Sequence, residues 1–125
     1  MTDIGFVFRI ISLTSLIFIC SACNASSTTP SSSDFEKLCN IYKNVSKEYK
    51  DTNDLLLSQG SLYRKIQAEI PNMLDDYEHV ITAAPEERYQ LYQQVAEIRL
   101  KKKWDCPAAE SYYSGIAKQA IQTGN

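Results

Sequence analysis

From Phe35 to Ile121 the apolar residues recur at steps of three and four, and no segment alternates convincingly with period two. A chain patterned in this way folds as helices. Ser33-Asp34-Phe35-Glu36 fits a capping box, in which Ser33 accepts the Glu36 amide and the Glu36 carboxylate returns to the cap amide. A first helix therefore starts there, with Phe35, Leu38, Cys39, Tyr42, Val45 and Tyr49 on one stripe and Lys37, Lys43, Lys47 and Glu48 outside it. The stripe fades at Asp51-Thr52-Asn53-Asp54, which reads as a turn.

A second helix opens near Asn53 or Asp54, carries Leu55, Leu56, Leu62, Ile66 and Ile70, and meets Pro71, which disfavours helical geometry at Ile70. Gly60 weakens its first half. Beyond it Met73, Leu74, Tyr77, Val80, Ile81 and Ala84 step helically, so Pro71 either separates two helices or kinks one. Pro85-Glu86-Glu87 is a favourable helix opening, because proline suits the first position and acids complement the N-terminal dipole. Leu91, Tyr92, Val95 and Ile98 supply the buried face of that helix, and Trp104-Asp105-Cys106-Pro107 ends it and starts the last one. There Ala109, Tyr112, Tyr113, Ile116, Ala117, Ala120 and Ile121 continue the spacing. The expected fold is all-α: a bundle of four to five short helices over residues 34–125, roughly 90 residues long.

With 13 Lys and Arg against 15 Asp and Glu, the net charge of −2 offers no excess for a phosphate backbone, so nucleic acid is excluded as a partner.

Ahead of the bundle, Ile10, Ile11, Leu13, Leu16, Ile17, Phe18 and Ile19 crowd a stretch of roughly ten residues after Arg9, as in a secretory signal. A spanning helix needs about 20 apolar residues. Extending this run back to Ile4 would carry Arg9 into hydrocarbon. The run closes as Ile19-Cys20-Ser21-Ala22-Cys23, which resembles the lipobox of bacterial lipoproteins. That resemblance covers the first fifth of the chain. It implies cleavage between Ala22 and Cys23, a diacylglycerol thioether on Cys23 and an acyl chain on the new amino group. Cys20 stands where the family most often has Leu, and Asn24, in place of the inner-membrane retention Asp, implies the outer membrane. The other readings are cleavage after Ala25 or a retained signal anchor.

Residues 1–22 are thus a signal peptide, and 23–33 are a lipidated cysteine with the tether NASSTTPSSS. The tether has no apolar face to bury and is expected to be disordered. Loss of Cys20 with the signal leaves Cys23, Cys39 and Cys106, an odd count that suits an oxidising compartment poorly. Lipidation of Cys23 removes the odd thiol and leaves Cys39 with Cys106 as a disulfide. Closing that 67-residue separation is worth about 4 kcal/mol in the chain-entropy description. Its role is structural, because the two lack redox C-x-x-C spacing and no His or Cys cluster points to metal.

His79, the sole histidine, lies four residues after Asp75 on a shared helix face, a weak acid–base constellation better read as a solvated face. No glycine-rich phosphate loop or catalytic motif occurs, so neither a cofactor nor an enzymatic activity is expected. Lys101, Lys102, Lys103 and Trp104 form a candidate contact patch for anionic lipid or glycan phosphate. The preferred reading makes the lysines complete a helix C-terminus while Trp104 folds into the core beside Cys106. Of the 8 tyrosines, Tyr42, Tyr49, Tyr77 and Tyr112 fall on core stripes, whereas Tyr63, Tyr89, Tyr92 and Tyr113 would form a contact face if they surfaced together. Two functions fit: a non-catalytic interaction or scaffold lipoprotein with an envelope protein partner, or a periplasmic small-ligand-binding or enzyme-accessory module.

Overall fold

The first turn of the bundle is set by a side-chain exchange around Asp34. In the computed structural model, which describes residues 28–50 and 55–124, the Asp34 carboxylate accepts from the Ser31 amide at 2.8 Å, the Ser31 hydroxyl at 2.9 Å and Asn72 Nδ2 at 2.9 Å. Helix α1 (Ser32–Glu48) accordingly starts from a Ser31–Asp34 capping box, two residues before the expected Ser33–Glu36 box. The reason is tertiary: Asp34 is tied to Asn72 beyond the second helix, which Glu36, exposed, is not. These hydrogen bonds, the Ser31 amide first, hold the Asp34 carboxyl below its ordinary pKa.

Helices α2 (Leu55–Glu69), α3 (Leu74–Ile81), α4 (Arg88–Leu100) and α5 (Pro107–Thr123) follow, with a short 3₁₀ turn over Pro71–Met73. The fold is an all-α bundle in which α1 packs against α2 and α5, α3 against α4, and α4 against α5. Pro71 separates α2 from α3: Ile70 leaves helical geometry at φ −143° and ψ 59°, yet its side chain is buried. Pro85, Glu86 and Glu87 form a turn, and α4 begins only at Arg88. Glu87 still accepts the first bond of that helix, from the Leu91 amide.

One core runs through the molecule. It is built from Phe35, Leu38, Ile41, Tyr42 and Val45 of α1, Leu62 and Ile66 of α2, Tyr77 and Val80 of α3, Tyr92 and Ala96 of α4, and Ala109, Tyr112, Tyr113 and Ile116 of α5. The expected α4 face is only partly correct. Leu91, Val95 and Ile98 form one stripe, whereas Tyr92 and Ala96 point roughly 100° away, at one residue's rotation, and it is their side that is buried. Ile98 is 73% exposed. On α5 the stripe ends at Ile116: Ile121 turns out of line and is exposed, and Ala120 borders an open groove with Gln59, Pro85 and Arg88.

An ion pair crosses from α3 to α4. Arg99 donates to both carboxylate oxygens of the buried Asp76, from Nε at 2.7 Å and from Nη2 at 2.6 Å. The bond to Asp76 raises the Arg99 pKa above its ordinary value and fixes the rotation of α4 on α3.

Gly60 lies inside α2 on an exposed side, and a Cβ there would meet only Arg64 Nη1, at 3.6 Å. With helical backbone and room for a methyl, Gly60→Ala should stabilise the protein by about 0.5–1 kcal/mol. A thermal melt checks this, and a lower midpoint would show that the glycine serves something other than the helix.

Candidate functional site

Three chain segments meet at the pole of the bundle where α1 begins. The disulfide expected between Cys39 and Cys106 is present, with S–S 2.07 Å and Cα–Cα 5.8 Å, and joins the middle of α1 to the residue capping α5. Cys106 is fully buried, its sulfur accepts the Ala109 amide at 3.4 Å, and Pro107 takes the first position of α5, where a missing amide costs nothing.

Trp104 packs beside the disulfide and is 9% exposed. Its ring centroid lies 5.7 Å from Phe35, 6.0 Å from Tyr92 and 6.4 Å from Tyr89. The segment is latched by α4: the Tyr89 hydroxyl donates to Asp105 Oδ1 at 2.9 Å and accepts from the Cys106 amide at 3.1 Å. Gln93 Nε2 reaches both the Tyr89 hydroxyl and the Trp104 carbonyl, each at 3.3 Å. Partial burial, followed by the Asp105 carboxylate, raises the Tyr89 pKa, so this phenol stays a donor.

Lys101 stops α4 in the left-handed region, at φ 55°, an uncommon conformation for a residue other than glycine. Its amide closes on the Glu97 carbonyl. Lys101, Lys102 and Lys103 are exposed, and Lys102 Nζ comes within 3.4 Å of Ser32 Oγ at the α1 start. The candidate patch therefore consists of the three lysines over a buried Trp104. Beneath them runs a shallow groove of about 460 Å³, lined by Phe35, Cys39, Leu100 and Trp104 and bordered by Glu36 and Asp105. These acids temper the positive charge at the same pole.

A larger groove, about 580 Å³, lies between α1, α2 and α5 and is lined by Val45, Ser46, Leu55, Tyr112, Lys118 and Gln122, among others. The interior behind it is tyrosine-rich. Tyr42 and Tyr113 share a hydrogen bond between their hydroxyls, Tyr112 pairs with Ser58 Oγ at 2.8 Å, and the Tyr42 ring contacts Tyr92, Tyr112 and Tyr113. Tyr42, Tyr77, Tyr92, Tyr112 and Tyr113 are all buried and Tyr49, Tyr63 and Tyr89 are half-buried, so the tyrosines build the core and form no exposed face.

His79 and Asp75 are both exposed on α3. Among the described residues no group of three or more His, Cys, Asp or Glu could hold a metal ion, and no helix is long and apolar enough to cross a membrane. Cys23, the lipidation candidate, lies outside the described residues. Sequence reasoning did not find the Tyr89–Gln93 latch or the Asp76–Arg99 pair. Neither follows a motif; the first ties α4 to the 104–106 segment and the second ties α4 to α3. No protein-family model, curated protein or solved structure matches this chain.

Proposed function

We propose that the chain is a membrane-anchored, non-catalytic lipoprotein of the bacterial cell envelope, held on the outer membrane through Cys23 and working through its surface as an interaction or scaffold module. The supporting observation is how firmly the bundle grips the start of α1. Pro30 is buried, Ser31 caps the helix, and Asn72 ties Asp34 down, while the Cys39–Cys106 bridge locks α1 to α5. An anchor on Cys23 would be joined to Ser31 by the seven residues 24–30, a span of at most about 29 Å even when fully extended. The domain would then be confined to a thin layer beside the membrane, which raises its effective concentration for partners in the same layer.

A second reading, a small-ligand-binding or enzyme-accessory module, is favoured by the groove of about 580 Å³, which falls in the roughly 300–1,000 Å³ range of ligand sites. Mass spectrometry of protein purified from membranes separates the two: stoichiometric protein partners support the first and a co-purifying small molecule the second.

The anchor itself is tested by metabolic labelling with a fatty-acid analogue. The full chain should take the label and Cys23→Ser should lose it. In a deletion strain with a measurable phenotype, His79→Ala should complement fully and Cys23→Ser should not. A label that persists in Cys23→Ser, or failure of a folded His79→Ala protein, would overturn the reading.

A further inference from the structure

The outward face of α4 is an apolar stripe with opposite charges at its two ends. At roughly 100° per residue, Glu87, Leu91, Gln94, Val95 and Ile98 fall within one sector, turned away from the buried Tyr92 and Ala96. Leu91 and Val95 are half-buried, and Ile98 is exposed. Glu86 and Glu87 stand at the N-terminal end of the stripe; Lys101, exposed and closing the helix, stands at its C-terminal end, while Lys102 reaches Ser32 at the start of α1. Glu97 lies on the flank, and the remaining cations of the helix are engaged elsewhere: Arg99 holds Asp76, and Arg88 donates to the Ala83 carbonyl at 3.0 Å.

Such a surface is complementary to itself in one orientation. A parallel pair would set glutamate on glutamate and lysine on lysine. An antiparallel pair, related by a two-fold axis between Gln94 and Val95, sets Leu91 on Ile98 twice over and brings the glutamate end of each helix to the lysine end of the other. The helix dipoles then also oppose favourably. This is the isologous arrangement that a two-fold dimer requires.

We propose that two copies of this chain associate through α4, antiparallel, with Leu91, Gln94, Val95 and Ile98 at the centre and Glu87 of each copy against Lys101 of the other. The helix is about 20 Å long, and one such face falls below the roughly 800 Å² per partner of a stable complex. The dimer is therefore weak in dilute solution and forms where copies are crowded. Anchoring at a membrane would favour it, but the pairing surface is independent of the anchor.

Cysteine cross-linking in intact cells producing the full chain tests the geometry. Residue 94 lies beside the two-fold axis, whereas two copies of residue 87 stand about 22 Å apart along it. Mild oxidation of Gln94→Cys should give a linked dimer beyond any formed by the parent chain. Glu87→Cys alone should give none, and co-produced Glu87→Cys and Lys101→Cys chains should give the mixed dimer. Ile98→Glu, on an exposed position that leaves folding intact by circular dichroism, should reduce the Gln94→Cys dimer to the parent's level. The proposal is overturned if Gln94→Cys gives no additional dimer, if Glu87→Cys links to itself equally well, or if the mixed dimer is absent. Linking of the parent chain itself would instead report a free Cys20 or Cys23 and count against lipidation, so the two readings fail separately.

Discussion

Raising the pH above 10 is expected to unfold the protein in one cooperative step, with tyrosinate absorbance near 295 nm appearing as helical ellipticity is lost. Tyr42, Tyr77, Tyr92, Tyr112 and Tyr113 are each at most 5% exposed. In every one, burial penalises the phenolate and pushes the pKa above its ordinary value near 10. The neighbouring tyrosine rings act in the same direction on Tyr42 and Tyr92. The unfolded chain loses these protons near pH 10 while the folded chain keeps them, so above that pH the unfolded state binds fewer protons and stability falls as pH rises. Below pH 10 the contribution is complete. At pH 11 Tyr42, Tyr77, Tyr92 and Tyr113 each withdraw about 1.4 kcal/mol, so these four withdraw about 6 kcal/mol, which is within the roughly 5–15 kcal/mol by which small domains are stable. Tyr112 acts in the same direction.

Tyr92 sharpens the test, because its buried hydroxyl has no hydrogen-bond partner among the described residues. Tyr92→Phe removes a polar atom that is costly to bury and one of the titrating groups, so the alkaline midpoint should move up. A smooth titration of all 8 tyrosines near pH 10 with helicity retained would contradict the enclosed core.

Breaking the disulfide should lower the thermal midpoint by roughly 15–30 °C. The bridge closes a 67-residue separation, worth about 4 kcal/mol through the entropy it removes from the unfolded chain, and a domain of this size shifts about 4–8 °C per kcal/mol. Loss of the Cys106 sulfur also removes the acceptor for the Ala109 amide, an end effect of about 1 kcal/mol. Cys106→Ser keeps an acceptor there but lacks the bridge, and Cys39→Ser lacks the bridge without touching the cap. If the bridge dominates, these two variants fall together, and reduction of the parent chain matches them. A midpoint within a few degrees of the parent in both serine variants would show that packing around Trp104 already holds α1 to α5.

Helix content was legible in the sequence because it depends on neighbours three and four residues away. Each stripe specifies a helix whatever packs on it, and the breaks at Pro71 and at Trp104–Pro107 are local backbone chemistry. The disulfide pairing was legible for a different reason: once Cys23 is assigned to the lipid and Cys20 to the signal, one pairing is left. Burial of the tyrosines was legible only in part, since Tyr92 and Tyr113 stand on stripes whose packing partners lie on other helices.

The rest was decided by contacts between elements distant in the chain. The sequence pointed to a Ser33–Glu36 capping box at the start of α1, and Asn72, 38 residues beyond Asp34, favours the Ser31–Asp34 box found there instead. Helix α4 carries apolar residues on two sides. Its Tyr92 side turns inward because it meets the Tyr42 and Trp104 rings and because Arg99 reaches the buried Asp76. That choice leaves Ile98 in solvent, where periodicity alone placed it in the core. A period in the sequence fixes which residues share a face; which of two apolar faces is buried is settled only by the shape and charge of what packs against it.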